Sequence, residues 1–166
     1  MTTFITILII IINFILQSTI FQYFKIFEVV PNTSLVIIVV IALLKGKKTA
    51  SIMGLLAGLL QDIIFSSVIG INGFIYFFVG YLVGMAENRL SKDNILIPFI
   101  MTIFSTIFYH LVHNLFMFFL SYNINFLVFF KNVIIIEIFY NSLISIILYK
   151  WFSKVFVIPS IRFGRR

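Results

Sequence analysis

The sequence contains no cysteine and very few charged residues. Among its 166 residues there is no thiol, which excludes disulfides, thiolate metal sites and cysteine nucleophiles. Only 10% of the residues are charged, whereas 62% are hydrophobic. A soluble domain needs far more charged surface than this to remain in solution. The two shortages together indicate a chain that folds in an apolar environment.

Apolar runs recur along the whole chain and are separated by short polar breaks. This pattern is typical of a polytopic helical membrane protein. The first run, MTTFITILIIIINFILQSTIF, lacks a basic start and is followed by no small-residue cleavage site. We therefore expect it to be retained as the first transmembrane helix rather than removed as a signal peptide.

The polar breaks divide the chain into six predicted helices. The predicted fold is an all-α, six-helix transmembrane bundle that forms a single domain over residues 1–166. The helices are expected at about 4–24, 31–44, 49–65, 73–86, 95–120 and 133–152, with a basic tail at 153–166. The second helix is short, because about 14 residues rise only ~21 Å against a ~30 Å hydrocarbon core.

The formal net charge of +7 is placed unevenly between the predicted loops. With six spans, one side of the membrane holds ten basic residues and the other holds two, Lys25 and Lys131. Basic loops favour the cytoplasmic side. The sequence therefore predicts that both termini are cytoplasmic in a multi-pass plasma-membrane protein. Because orientation explains the basic residues, no nucleic-acid partner is expected.

Several ionisable or polar residues fall within predicted spans, where an unpaired polar group is costly. Spacing along the helices puts Asp62, His110, His113 and Glu137 in the outer half of the bundle, close enough to form one cluster. Asn141 lies one turn beyond Glu137, and Tyr76 lies on the fourth predicted helix. Two interpretations stay open. The pair in HLVH has a spacing that can bind a metal or relay protons, or these groups form hydrogen bonds that hold helices together. We expect the second, with no metal and no cofactor.

Two pairs of glycines are spaced four residues apart on neighbouring predicted helices: Gly54 with Gly58, and Gly80 with Gly84. Small residues at this spacing let helices approach closely in lipid. If the turn between the helices is centred on Ile69, Gly54 lies opposite Gly84 and Gly58 lies opposite Gly80. The same register brings Asp62 to Tyr76, and we expect a hydrogen bond between their side chains. The alternative partner for Asp62 is the fifth predicted helix or a backbone amide of the outer loop.

The stretch from Pro31 to Gly84 resembles the bacterial rod shape-determining protein family MreD. The family pattern has Pro-Asn or Pro-Asp before the second helix and a glycine after it. G-x-x-x-G-L-x-x-D follows in the third helix, then a glycine in the outer loop, and then tyrosine with spaced glycines in the fourth helix. These positions are Pro31, Asn32, Gly46, Gly54, Gly58, Leu59, Asp62, Gly70, Tyr76, Gly80, Tyr81 and Gly84. From Leu90 onward the chain carries no motif that matches the family.

The resemblance implies a membrane scaffold of the cell-elongation complex that is not an enzyme. It would bind an MreC-like protein, together with MreB, RodA and the elongation transpeptidase, during lateral-wall peptidoglycan synthesis. It also implies a fold like the S component of energy-coupling-factor transporters. The alternative function is therefore that of a vitamin-binding S component, and a third hypothesis is an ion path through the buried acids and histidines. No catalytic motif is present in the sequence.

Overall fold

The computed structural model describes residues 2–25, 27, 29–87, 94–121 and 133–156. Every regular element in these ranges is helical, as the sequence predicts. The α-helices are α1 (Thr2–Ser18), α2 (Thr33–Phe65), α3 (Ile71–Met85), α4 (Leu96–Phe119) and α5 (Ile135–Phe156), and a short 3-10 helix covers Phe21–Tyr23. The six-helix count is not confirmed, because the predicted helices 31–44 and 49–65 are assigned as one element, α2.

Helix α2 is nonetheless broken at Gly46, which has φ 78° and ψ 177°. Only glycine adopts this backbone conformation readily. The break divides α2 into a first arm, residues 33–45, and a second arm, residues 47–65. The arms run antiparallel, because Asn32 before the first arm and Gln61 near the end of the second both lie within 3.0 Å of the Tyr76 hydroxyl. In a straight helix these two residues would be about 44 Å apart.

The first arm of α2 lies at the centre of the bundle. All twelve residues from 33 to 44 are buried, so that this segment presents no face to the surroundings of the protein. A helix that is apolar all round is stable only when other helices cover it. The other helices therefore pack around this arm, which sets the layout of the whole fold.

The bundle has two distinct ends, which we name by the residues found there. The Asp62 end holds the start of the first arm, the end of the second arm and the start of α3. The Gly46 end holds the bend in α2 and the last turn of α5, because the Lys45 ammonium lies 4.7 Å from the ring centre of Phe156. The Gln17 side chain near the end of α1 reaches the Pro31 carbonyl at the Asp62 end. Consequently α1 starts at the Gly46 end, the same end at which α5 finishes.

The outside of the bundle is apolar, as expected for contact with lipid. Large side chains such as Phe4, Phe104 and Phe118 are 70%, 65% and 74% exposed, and a soluble protein rarely leaves so much apolar surface open. Within the described ranges, three helical stretches are long and apolar enough to cross a membrane: Phe4–Tyr23, Leu96–Phe119 and Ile135–Phe156. Helix α3 is also apolar but shorter. These observations agree with a membrane protein.

Several residues used in the charge argument lie outside the described ranges. They are Arg89, Lys92, Lys131, Arg162, Arg165 and Arg166, as is most of the predicted basic tail.

Candidate functional site

Asp62 caps the N-terminus of α3. Its carboxylate accepts hydrogen bonds from the backbone amides of Gly70 (2.9 Å), Asn72 (3.2 Å) and Gly73 (3.1 Å), and from the Asn72 side chain (2.7 Å). The first amides of any helix lack partners within the helix, and the residue at the cap position here, Gly70, has no side chain. Asp62 on the neighbouring arm supplies the missing acceptor, and its negative charge suits the positive end of the helix dipole. A buried acid is thereby satisfied inside an apolar bundle.

The chain enters α3 through a left-handed residue. Gly70 has φ 104°, a region that side chains other than glycine rarely adopt. This conformation turns the loop back beside the second arm, so that the amides at the start of α3 point at Asp62. The family-motif positions Gly70 and Asp62 therefore act together in one cap.

Four glycines bring the second arm of α2 into direct backbone contact with α3. A Cβ atom added at any of them would come within 3 Å of backbone on the other helix. We call Gly54, Gly58, Gly80 and Gly84 the glycine interface. Gly54 faces Tyr76, Gly58 faces Asn72 and Gly73, Gly80 faces Ala50 and Ser51, and Gly84 faces Gly46 and Lys47. Neither helix could approach this closely with a side chain in the way.

The expected pairing of glycine with glycine is wrong. Each glycine meets backbone about seven residues, or two helical turns, away from the glycine that the sequence argument placed opposite it. The physical reason is the Asp62 cap. To bring the carboxylate level with the amides of Gly70 to Gly73, the second arm must extend past the start of α3, and the turn is not centred on Ile69.

The expected hydrogen bond between Asp62 and Tyr76 is also wrong. The buried Tyr76 hydroxyl instead lies 2.8 Å from Asn32 Oδ1 and 3.0 Å from Gln61 Oε1. The alternative in which backbone amides of the loop are partners of Asp62 is the one found. Tyr76 therefore ties α3 to both arms of α2.

Asn32 and Pro31 have structural tasks at the start of α2. The Asn32 side chain accepts a hydrogen bond from the Leu35 amide at 3.0 Å, which is a regular N-cap. Its own backbone amide donates to Asn141 Oδ1 at 2.9 Å, and this bond joins α2 to α5. The Pro31 carbonyl accepts from the Gln17 side chain of α1 at 3.1 Å. The beginning of the first arm is thus anchored to helices from both ends of the sequence.

Helices α4 and α5 are joined by a buried pair of ionisable groups. His110 Nε2 lies 2.9 Å from Glu137 Oε2, and both residues are more than 90% buried. The Asn141 amide nitrogen lies 3.3 Å from the other Glu137 oxygen and 3.3 Å from Thr106 Oγ1. These contacts satisfy the polar stripe that the sequence shows on α5.

The two histidines of HLVH have different surroundings. His110 faces Glu137, whereas the half-buried His113 stacks on Tyr109 with ring centres 5.6 Å apart. The Tyr109 hydroxyl donates to Asn72 Oδ1 at 2.8 Å, which connects α4 to the Asp62 cap. The described residues include no group of three or more histidine and acidic side chains that could hold a metal ion. The geometry favours interhelical hydrogen bonding.

These polar groups surround a cleft of about 210 Å³ at the Asp62 end, which we call the polar cleft. It lies where α1, α2, α4 and α5 meet. Its walls are formed by Gln17, Val30, Asn32, Gln61, Tyr109, His110, His113, Val133 and Glu137. Of the predicted buried polar residues, the structure places His110, His113 and Glu137 here, whereas Asp62 and Tyr76 lie next to the cleft without lining it.

Three residues that take part in this region were not predicted as site residues from the sequence: Gln17, Gln61 and Asn72. Gln61 directly precedes Asp62, and the charged residue alone was predicted as part of a site. Asn72 lies just before the predicted helix 73–86 and was therefore assigned to a loop. The signal for Asn72 was available, because a polar residue directly after Gly70 stands where a helix start needs partners. Gln17 lies one turn after Asn13 on α1, and the Asn13 side chain donates a hydrogen bond to Ser34 Oγ at 3.0 Å.

Comparison with known proteins gives one match. The family model described as rod shape-determining protein MreD matches residues 1–157. No curated protein and no solved structure matches the chain.

Proposed function

The chain belongs to the family of the rod shape-determining protein MreD, and from this premise we propose that it is a scaffold subunit of the cell-elongation complex. In this role it binds an MreC-like membrane partner and helps to organise lateral-wall peptidoglycan synthesis without catalysing a reaction. The observation that carries the proposal is the extent of the family match, because residues 1–157 include all five α-helices found in the described ranges.

We further propose that the protein crosses the inner membrane six times, with its termini in the cytoplasm. Charge supports this arrangement, because the lysines at the Gly46 end are Lys45, Lys47, Lys48, Lys150 and Lys154, and the cytoplasmic side is the one that favours basic residues. Each arm of α2 counts as one crossing. The first arm is only about 20 Å long, but it is covered by protein and need not match the thickness of the lipid.

The orientation is tested by thiol labelling, because the natural chain has no cysteine to interfere. Ser67→Cys, at the Asp62 end, is expected to react with an impermeant thiol reagent added to intact cells. Ser91→Cys, between α3 and α4, is expected to react only after the cells are opened. The opposite pattern would contradict the orientation without affecting the family assignment.

The partner is expected to bind outside the glycine interface. All four of those glycines are already covered by backbone of the chain itself, so they are not available to a helix from another protein. The lipid-facing surface, on which apolar side chains of α1, α4 and α5 are exposed, is available for docking.

The function is tested by depletion of the protein in its rod-shaped host. Rounded cells and loss of lateral wall synthesis are expected, and expression of the full chain from a plasmid is expected to restore rods. The MreC-like protein should co-purify with the full chain from mild detergent, but not with an unrelated multi-pass protein expressed at the same level. Normal rods after depletion would contradict the scaffold role.

A further inference from the structure

The polar cleft has one carboxylate in its wall. This is Glu137, whose two oxygens lie 2.9 Å from His110 Nε2 and 3.3 Å from the Asn141 amide nitrogen. A carboxylate has about four lone-pair sites, so these two contacts leave it able to accept a further hydrogen bond. Among the described residues that line the cleft there is no lysine or arginine. A cation that hydrogen-bonds to Glu137 in the cleft would be attracted by the charge of the carboxylate.

The cleft also offers an aromatic surface. Tyr109 and His113 are nearly parallel, with an angle of 27° between their ring planes, and both contribute to the wall. The faces of aromatic rings attract cations, and the attraction grows when the site is shielded from water. An acid beside stacked rings is an arrangement suited to a positively charged nitrogen group.

Part of the hydrogen-bonding capacity in the wall is unused. His113 forms no hydrogen bond with the part of the chain that the structure describes, and only one end of the Gln61 amide is engaged, by Tyr76. The neighbouring residues Asp62, Asn72 and Asn141 are by contrast fully occupied in holding helices together. Thr102 Oγ1 is the one buried side-chain polar atom without a hydrogen-bond partner in the described part of the bundle. Free polar groups in the wall of a cleft therefore point to an external partner.

We propose that the polar cleft is a binding site for a cationic nitrogen group, either a primary ammonium or a guanidinium. Glu137 supplies the opposite charge, Tyr109 and His113 supply ring faces, and Gln61 supplies an amide oxygen that accepts a hydrogen bond from the cation. The volume of about 210 Å³ is below the range of drug-sized pockets and suits one such group on a short aliphatic stem. The group belongs either to a free amine or to a lysine or arginine side chain of a protein segment on the same side of the membrane. The inference is independent of the scaffold function.

The test uses the full-length protein in nanodiscs of uncharged phosphatidylcholine and isothermal titration calorimetry. The probes are propylammonium, propylguanidinium, neutral propionamide and anionic propionate. Saturable binding is expected for the two cations alone. Glu137→Gln keeps the size and shape of the side chain and one acceptor oxygen but removes its charge, and it is expected to weaken binding roughly 10- to 100-fold.

Two further variants serve as controls, one for the position of the removed charge and one for correct folding. Glu87→Gln removes an acid near the Gly46 end and is expected to leave cation binding unchanged. His113→Leu removes a half-exposed ring that makes no hydrogen bond within the described chain, so it should fold even if Glu137→Gln does not, and it is expected to weaken binding about 10-fold.

A tripeptide with a central arginine and blocked ends distinguishes the two sources of the cation. Tighter binding of the tripeptide than of propylguanidinium identifies a protein segment as the occupant, and the reverse order identifies a free amine. No saturable binding of either cation, equal binding of propionamide, or unchanged affinity in both Glu137→Gln and His113→Leu would overturn the proposal.

Discussion

The glycine interface and the polar cleft are held together by different physics. At the interface, the second arm of α2 and α3 touch backbone to backbone, and all four glycines are covered. At the cleft, α4 and α5 meet the rest of the bundle through side-chain hydrogen bonds such as that between His110 and Glu137. The first contact depends on the absence of side chains and the second on their presence.

Because of this difference, we expect the glycine interface to stabilise the fold and the polar cleft to be the region that can bind a ligand. Close backbone contact leaves no space and no unused polar atom, so that the interface can only hold the fold together. Hydrogen-bonded side chains keep helices farther apart and leave space between them, together with unused groups on His113 and Gln61. We therefore expect substitutions at the interface to act on stability, and substitutions in the wall of the cleft to act mainly on binding.

The largest effect is expected from Gly80→Leu. A side chain here would occupy the position of the Ala50 and Ser51 backbone, which cannot move aside as a flexible side chain can. We expect the free energy of unfolding to fall by more than about 4 kcal/mol, with loss of the folded protein from the membrane. Circular dichroism during titration with a denaturing detergent measures the change.

Gly73→Ala is the matched control, because its Cβ would meet only the side chain of Leu59 on the facing arm at distances of 3.1 and 3.2 Å, and the Leu55 carbonyl at 3.5 Å. This change is expected to alter stability by less than about 1 kcal/mol, since alanine also favours the helix. Equal effects of the two substitutions would contradict the assignment of backbone contact to Gly80.

The next largest effect is expected from Asp62→Ala. This substitution leaves the amides of Gly70, Asn72 and Gly73 without their acceptor, and we expect a loss of about 3 kcal/mol in the free energy of unfolding. Asp62→Asn keeps one acceptor oxygen and should cost less. Hydrogen exchange is expected to accelerate first at the start of α3. An unchanged exchange pattern there would contradict the capping role.

A smaller effect is expected from Tyr109→Phe in the wall of the cleft. The change removes the 2.8 Å hydrogen bond to Asn72 but keeps the ring and its stacking on His113. A single interhelical hydrogen bond in a membrane contributes about 0.6 kcal/mol, and we expect a loss of this order in the same detergent titration. A loss as large as that of Gly80→Leu would remove the distinction between the two regions.

The helices and their inward faces were predictable from sequence because both depend on the spacing of residue types. The polar residues of α1, Thr6, Asn13 and Gln17, share one face by spacing, and all three are buried in the structure. The need for glycine on the second arm and on α3 was also visible in the four-residue spacing. These features are local, and a periodic pattern is enough to reveal them.

The register between the second arm and α3 was not predictable in the same way. It depends on where Asp62 finds its amides, and hence on the conformation of five loop residues around the left-handed Gly70. Glycine-on-glycine pairing satisfied the spacing equally well, since a shift of about two turns keeps the same faces in contact. The polar cleft was missed because its walls come from four helices distant in the sequence.

The most direct test of this account measures that register in the membrane by spin labels on introduced cysteines. Ile52, Phe78 and Met85 are exposed on the second arm and on α3, and the chain has no other thiol. The structure places Ile52 level with Phe78, whereas glycine-on-glycine pairing would place it level with Met85, about 10 Å further along the axis. We predict a shorter label distance for residues 52 and 78 than for 52 and 85. The reverse order would contradict both the glycine interface as described and the capping of α3 by Asp62.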